Sequence, residues 1–210
     1  MNDLFLKAKH WQLFVLTFVL PLLIQFYFMW TMLFTMIRMD FHSQPPDPFA
    51  MMDNFKYLWF IMILFNGILL AWQWSVAIGL QTKVPPTVKM KVNIFKIFFF
   101  IPVVYFSLFV LFISWMMSQM GIMFNENSTP PNFPVFIGVF ILIIPLHLFS
   151  AFCLLYCIYF VAKTFKTVEL QREVSFSDFI AEFFLVWFFP VGVWLLQPKI
   201  NKFIEHQSVN

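Results

Sequence analysis

Long apolar runs alternate with short polar segments along the whole sequence. Four of these runs are long enough to cross a lipid bilayer, because about 20 apolar residues in a helix cover roughly 30 Å of hydrocarbon. The predicted spans are residues 12–37, 55–80, 94–120 and 135–161. They predict an all-α integral membrane protein in which residues 1–174 form a four-helix transmembrane bundle.

The polar segments between the spans are expected to be loops. Residues 38–54 include Pro45, Pro46 and Pro48, a spacing that the interior of a helix does not accept. Residues 162–174 are rich in polar side chains and follow the fourth span, which is predicted to end at residue 161. Within the first span, Pro21 is expected to introduce a kink, since proline removes one helical hydrogen bond.

The last apolar run is interrupted by Pro190 and Gly192 and closes at Gln197-Pro198. Ser175 and Asp178 match the S-x-x-D capping box, which predicts a helix beginning directly after Ser175. We expect this helix to bend at Pro190. Residues 175–210 are therefore predicted to form a C-terminal hydrophobic helix followed by a cytoplasmic tail.

Two placements of this C-terminal helix are open. A re-entrant or interfacial helix would place Trp187 and Trp194, which are seven positions apart, at the level of the lipid headgroups. Alternatively, the segment crosses as a fifth span. Glu182 lies two turns from its start and is expected either to cap or snorkel, or to pair with Lys163 or Lys96.

The distribution of basic residues favours the re-entrant or interfacial placement. If the C-terminal helix does not cross the membrane, most of the 13 Lys and Arg residues lie on the same side as the N-terminus. Only Arg38 and Lys56 then lie on the opposite side. A fifth span would move Lys199 and Lys202 to the opposite side. Basic residues concentrate in cytoplasmic segments, so we predict that the N-terminus is cytoplasmic.

Composition supports a membrane protein of bacterial origin. The chain is 61% hydrophobic and 11% charged, whereas soluble domains are about 25% charged. The 33 Phe residues, with Lys far more frequent than Arg, are typical of an AT-rich genome, so a bacterial inner membrane is predicted. Because basic residues form no cluster of the kind that binds phosphates, nucleic acid is not expected as a partner.

Four polar residues, one from each span, fall near the predicted membrane midplane. They are Gln25, Asn66, Ser107 and His147. Unpaired polar groups cost several kcal/mol in hydrocarbon, so these side chains are expected to face inward and to bond with one another. Such a layer either fixes the register of the helices or lines a pathway for a substrate or ion.

The sequence carries no motif for catalysis or for a bound cofactor. Neither G-x-S-x-G nor H-E-x-x-H is present, so no enzyme activity is predicted. His147 is alone in the membrane interior and lacks the second histidine of a haem site, and Cys153 and Cys157 are expected to pack as small apolar side chains. No cofactor and no metal site are therefore expected.

These observations favour a non-enzymatic protein that works by association, as an accessory or assembly subunit or as a binder of another membrane protein. Its large apolar and aromatic surface would contact the lipid bilayer, a membrane-protein partner or further copies of the chain. The alternative is a small transporter or channel that uses the midplane polar layer.

Overall fold

The computed structural model describes residues 2–38, 48–123 and 133–205, and every regular element in these ranges is helical. The helices are α1 (Asn2–Lys7), α2 (His10–Phe14), α3 (Leu20–Arg38), α4 (Pro48–Gly79), α5 (Val92–Met123), α6 (Phe133–Leu170), α7 (Phe176–Trp187) and α8 (Phe189–Glu205). A π-helical turn, Val15–Val19, joins α2 to α3, and a 3₁₀ turn, Leu80–Lys83, follows α4.

Four helical stretches within the described residues are long and apolar enough to cross a membrane. They are His10–Ile37, Met62–Lys83, Val92–Met116 and Ile141–Leu170. The prediction of an all-α, multi-pass membrane protein with four spans is confirmed. Helices α7 and α8, with 12 and 17 residues, are both shorter than these spans.

The fourth span continues further than the sequence pattern predicted. The span was predicted to end at residue 161, but α6 extends to Leu170. Lys166 and Glu169, one turn apart, form an ion pair of 2.8 Å along this extension, a spacing that stabilises helices. The helix ends before Gln171, whose backbone is in the left-handed region with φ of 50°.

Prolines mark the starts of two other helices. Pro48 is the first residue of α4, a position where the missing N–H is not needed, so this helix begins inside the predicted loop of residues 38–54. Residues 39–47 of that loop lie outside the described part. Pro21 lies in the first turn of α3, directly after the π-helical turn Val15–Val19, and such wider turns accommodate a lost helical hydrogen bond.

The chain divides into two compact units. The first unit comprises Met1–Lys89 and Val161–Asn210, and the second comprises Met90–Phe160. In the first unit, α8 packs on α1, α2 and α7, and α1 also packs on α4. Its buried core includes Trp72, Phe165 and Phe179.

The C-terminal apolar run forms two helices rather than one. The break lies at Phe188, whose ψ of 58° is not helical, so the predicted bend at Pro190 is two residues too late. Pro190 instead lies in the first turn of α8, where proline fits without losing a hydrogen bond. Pro198, expected to close the run, lies inside α8, which continues to Glu205.

Gly192 allows α7 and α8 to approach closely at this break. A Cβ atom placed on Gly192 would lie 1.8 Å from the carbonyl oxygen of Leu185 in α7. No side chain fits that space, so glycine is required there for a steric reason. The backbone N–H of Gly192 also donates to the carbonyl of Phe188 at 2.9 Å and so begins the hydrogen bonding of α8.

Candidate functional site

Gln197 of α8 links the C-terminal segment to the N-terminus of the chain. Its side chain is fully buried, and its amide nitrogen lies 2.9 Å from the carbonyl oxygen of Phe5 and 3.0 Å from that of Ala8. The last carbonyls of a helix have no partner within it, and α1 ends at Lys7. Gln197 therefore caps the C-terminal end of α1 from a helix about 190 positions away in sequence.

The other half of the Gln197 amide is also satisfied. Trp72 of α4, fully buried, donates its indole N–H to the Gln197 side-chain oxygen at 2.8 Å. Asn201, one turn further along α8, donates to the carbonyl of Ala8 at 3.2 Å and accepts from Gln197 at 3.1 Å. These bonds bring α1, α4 and α8 together around one buried amide.

Aromatic contacts extend the same face of α8. The ring of Trp194 lies 4.7 Å from that of His10 and 5.4 Å from that of Phe14, measured between centroids. Trp194, Gln197 and Asn201 follow the spacing i, i+3, i+7 and so share one side of the helix. We call these three residues the α8 contact face. The predicted interfacial role of Trp194, and of the exposed Trp187, stays a prediction.

A chain of four charged side chains connects the end of α6 with α7 and α8. Lys166 lies 2.8 Å from a carboxylate oxygen of Glu182 and 2.8 Å from one of Glu169, and Lys199 lies 2.6 Å from the other oxygen of Glu169. The chain contains two acids and two bases, so its formal charges cancel. Burying such a pair is favourable only when the partners are hydrogen-bonded, as here.

Glu182 is the buried end of this charged chain. The ion pair expected from the sequence is present, but its partner is Lys166 rather than Lys163 or Lys96. Lys166 is one helical turn closer than Lys163 to the end of α6, and α7 begins only a few residues beyond that end. The second oxygen of Glu182 is buried and accepts no hydrogen bond from the described protein atoms.

The capping box at the start of α7 is confirmed. Asp178 accepts a hydrogen bond of 2.8 Å from the backbone N–H of Ser175. The hydrogen bonds from the Ser175 backbone and hydroxyl, together with Arg172, lower the pKa of Asp178. The carboxylate is thus held in its charged form, which the N-terminal end of a helix favours.

The residues of the predicted midplane layer differ in how their side chains are hydrogen-bonded. Asn66 donates to the carbonyl of Met62, and Ser107 to that of Val103, each four positions earlier in the same helix. Gln25 is exposed on α3 and makes no hydrogen bond within the described residues. Within the second unit, Ser107 and His147 are not bonded to each other, and a functional role for the layer stays a prediction.

The hydrogen-bond partner of His147 is Tyr105, which was not predicted from the sequence. The Nδ1 atom of His147 lies 3.1 Å from the hydroxyl oxygen of Tyr105, and the two rings meet edge to face with centroids 5.8 Å apart. The bond joins α5 to α6 within the second unit. Elsewhere on α6, Cys153 and Cys157 are free thiols and fully buried, as expected for small apolar side chains.

Gln197, Trp72 and Lys166 were not singled out from the sequence as functional residues. One signal was available for Gln197, an amide within an apolar run directly before Pro198. Its partners were not accessible to pattern analysis, because the carbonyls it binds are backbone atoms at the opposite end of the chain. Comparison with models of known protein families, with curated proteins and with solved structures gives no match.

Proposed function

We propose that this protein is a non-enzymatic integral membrane protein that acts by association, as an accessory or assembly subunit or as a binder of another membrane protein. The observation that carries the proposal is Gln25. It lies near the middle of the span His10–Ile37, is exposed, and makes no hydrogen bond within the described residues.

Gln25 differs from several other polar side chains of the spans, whose hydrogen bonds are made within their own helices. Thr17, Thr35, Ser75 and Ser114 each donate to the carbonyl four positions earlier in their own helix. Such bonds remove the need for a partner. An unpaired amide in hydrocarbon costs several kcal/mol, and polar groups at this depth generally face protein or water.

A neighbouring protein helix would satisfy Gln25. Interhelical hydrogen bonds in membranes are worth about 0.6–2 kcal/mol, enough to bias association without fixing it alone. The large exposed side chains of the same helix, among them Tyr27 and Trp30, supply apolar and aromatic contact area for such a partner. The partner is either a different membrane protein or a second copy of this chain.

The test is the mass of the protein extracted in mild detergent, with Gln25→Leu compared against Ser107→Ala. Ser107 is also exposed in a span, but its hydroxyl is satisfied by Val103, which makes it a matched control. We expect Gln25→Leu to weaken the complex about 3- to 30-fold, the equivalent of 0.6–2 kcal/mol, and Ser107→Ala to leave it unchanged. A wild-type protein that is a lone monomer at all concentrations would overturn the proposal.

We further propose that the protein lies in a bacterial inner membrane with its N-terminus and C-terminus in the cytoplasm. The excess of Lys and Arg on the N-terminal side supports this orientation. Contacts of α8 support it as well, because Asn201 bonds to Ala8 near the N-terminus and the carbonyl of Phe203 accepts from Lys83 in the turn after α4.

A further inference from the structure

A groove runs along α5 in the second unit, and Leu146 of α6 also lines it. It begins beside Lys96, passes Phe100 and Val104, and ends at Leu108. Its volume is about 580 Å³. Nearly all of its wall is apolar, so it lacks the polar groups that would hold a soluble metabolite.

A lysine stands at one end of the groove, and the rest of the wall is apolar. Lys96 is exposed there, and no acidic side chain within the described residues forms an ion pair with it. At the other end, the hydroxyl of Tyr105 is engaged with His147, which leaves the aromatic ring as apolar wall. The groove therefore offers one positive charge at its mouth and hydrocarbon contacts along its length.

The length of the groove corresponds to the depth of one lipid leaflet. From Lys96 to Leu108 the helix rises about 18 Å at roughly 1.5 Å per residue, slightly more than half of the ~30 Å of bilayer hydrocarbon. Lys96 lies in the second turn of α5, near the start of the span Val92–Met116. The groove thus extends from the membrane interface to about the midplane.

The groove suits an extended hydrocarbon chain. Its wall is apolar along its length, and such a chain needs no hydrogen-bonding partner. The length of the groove and its apolar wall therefore favour an acyl chain.

We propose that this groove binds one acyl chain of an anionic phospholipid, with the lipid phosphate at Lys96. The lysine stem lies along the apolar wall while its ammonium group remains at the interface. Basic side chains between membrane helices recognise anionic headgroups in this way, with a gain of about 1 kcal/mol for each lysine near the surface. This site is independent of Gln25, which lies on α3 in the first unit.

The headgroup contact is tested by native mass spectrometry of the full-length protein titrated with phosphatidylglycerol or phosphatidylcholine. We expect wild type to prefer phosphatidylglycerol, and Lys96→Gln to lose about fivefold of that preference. The matched control is Lys91→Gln, since Lys91 is an exposed lysine just before α5 that does not line the groove. Equal loss in both variants, or no preference in wild type, would overturn the assignment.

The acyl-chain contact is tested by filling the groove. Val104→Trp should displace both lipids, whereas Leu111→Trp should displace neither, because Leu111 is 67% exposed on α5 and outside the groove. Lys96→Gln keeps the proposal testable if Val104→Trp fails to fold. Unchanged lipid binding in a folded Val104→Trp protein, or a change in its oligomeric mass without loss of lipid, would contradict the proposal.

Discussion

The two units of this protein differ in the contacts that join their helices to one another. In the first unit, Gln197, Trp72 and Lys166 bond to residues far away in sequence, so their hydrogen bonds and ion pairs hold separate helices together. In the second unit, Ser107 and Ser114 bond to carbonyls of their own helix. There, α5 and α6 meet through aromatic side chains such as Phe95 and Phe160, stacked at 4.7 Å, and through the Tyr105–His147 bond.

This difference separates a region of fixed geometry from a region suited to lipid. Directional bonds between helices specify one arrangement, since a misplaced helix leaves buried donors and acceptors unpaired. Apolar and aromatic contacts tolerate small displacements, and many large side chains of α5 and α6, among them Leu108 and Leu148, are exposed. We therefore expect substitutions at the interhelical bonds of the first unit to be more damaging than substitutions of polar residues in the second.

The largest effect is expected for Gly192→Ala in the first unit. The added Cβ would lie 1.8 Å from the carbonyl oxygen of Leu185, a backbone atom that moves only if α7 and α8 separate. We expect a loss of about 3 kcal/mol in the free energy of unfolding, at the upper end of the range for overpacking. Denaturant unfolding in detergent micelles measures it.

Gly67→Ala is the matched control for Gly192→Ala. Gly67 also lies inside a helix, but a Cβ placed there meets no atom within 4 Å. Alanine is the better helix former by about 1 kcal/mol, so this variant should be as stable as wild type or more stable. Equal destabilisation by the two substitutions would contradict the close approach of α7 and α8.

A smaller but clear effect is expected for Gln197→Leu. The substitution leaves the indole N–H of Trp72 and the carbonyl of Phe5 without the Gln197 partner, while Asn201 still donates to the carbonyl of Ala8. Buried groups left unpaired cost about 1–3 kcal/mol, so we expect a loss of roughly 2–3 kcal/mol. Exposure of α1 to limited proteolysis should rise in parallel.

In the second unit, Ser114→Ala serves as the control for Gln197→Leu. Ser114 donates to the carbonyl of Val110 in its own helix, and that carbonyl keeps its helical bond when the hydroxyl is removed. We expect a change within about 0.5 kcal/mol. If Gln197→Leu were equally mild, the α8 contact face would not be what holds the N-terminal region.

The spans and the start of α7 could be predicted from the sequence, and the contacts between helices could not. Hydropathy and the Ser175–Asp178 pattern are local, so they located the four spans and the capping box. The bend was placed at Pro190 because proline is a local signal, but the break at Phe188 allows proline to begin the next helix. The pairing of Glu182 with Lys166 depends on how far α6 extends.

The contacts of the candidate site could likewise not be predicted from local sequence patterns. Gln25, Asn66, Ser107 and His147 were grouped because depth can be counted along a helix, but the direction of a side chain depends on packing. Asn66 and Ser107 instead bond within their own helices, and His147 bonds to Tyr105. The role of Gln197 depends on a helix end about 190 positions away, which no local pattern contains.

The central claim is that the C-terminal segment packs against the N-terminal region. The most direct test is to determine whether the C-terminus lies on the same side of the membrane as the N-terminus. A reporter that is active only in the cytoplasm, fused after residue 210, should be active to the same degree as one fused at the N-terminus. The same reporter inserted in the segment 38–54 should be silent. An active N-terminal fusion with a silent C-terminal fusion would mean that residues 176–205 cross the membrane, and it would contradict the contacts of α8 with α1.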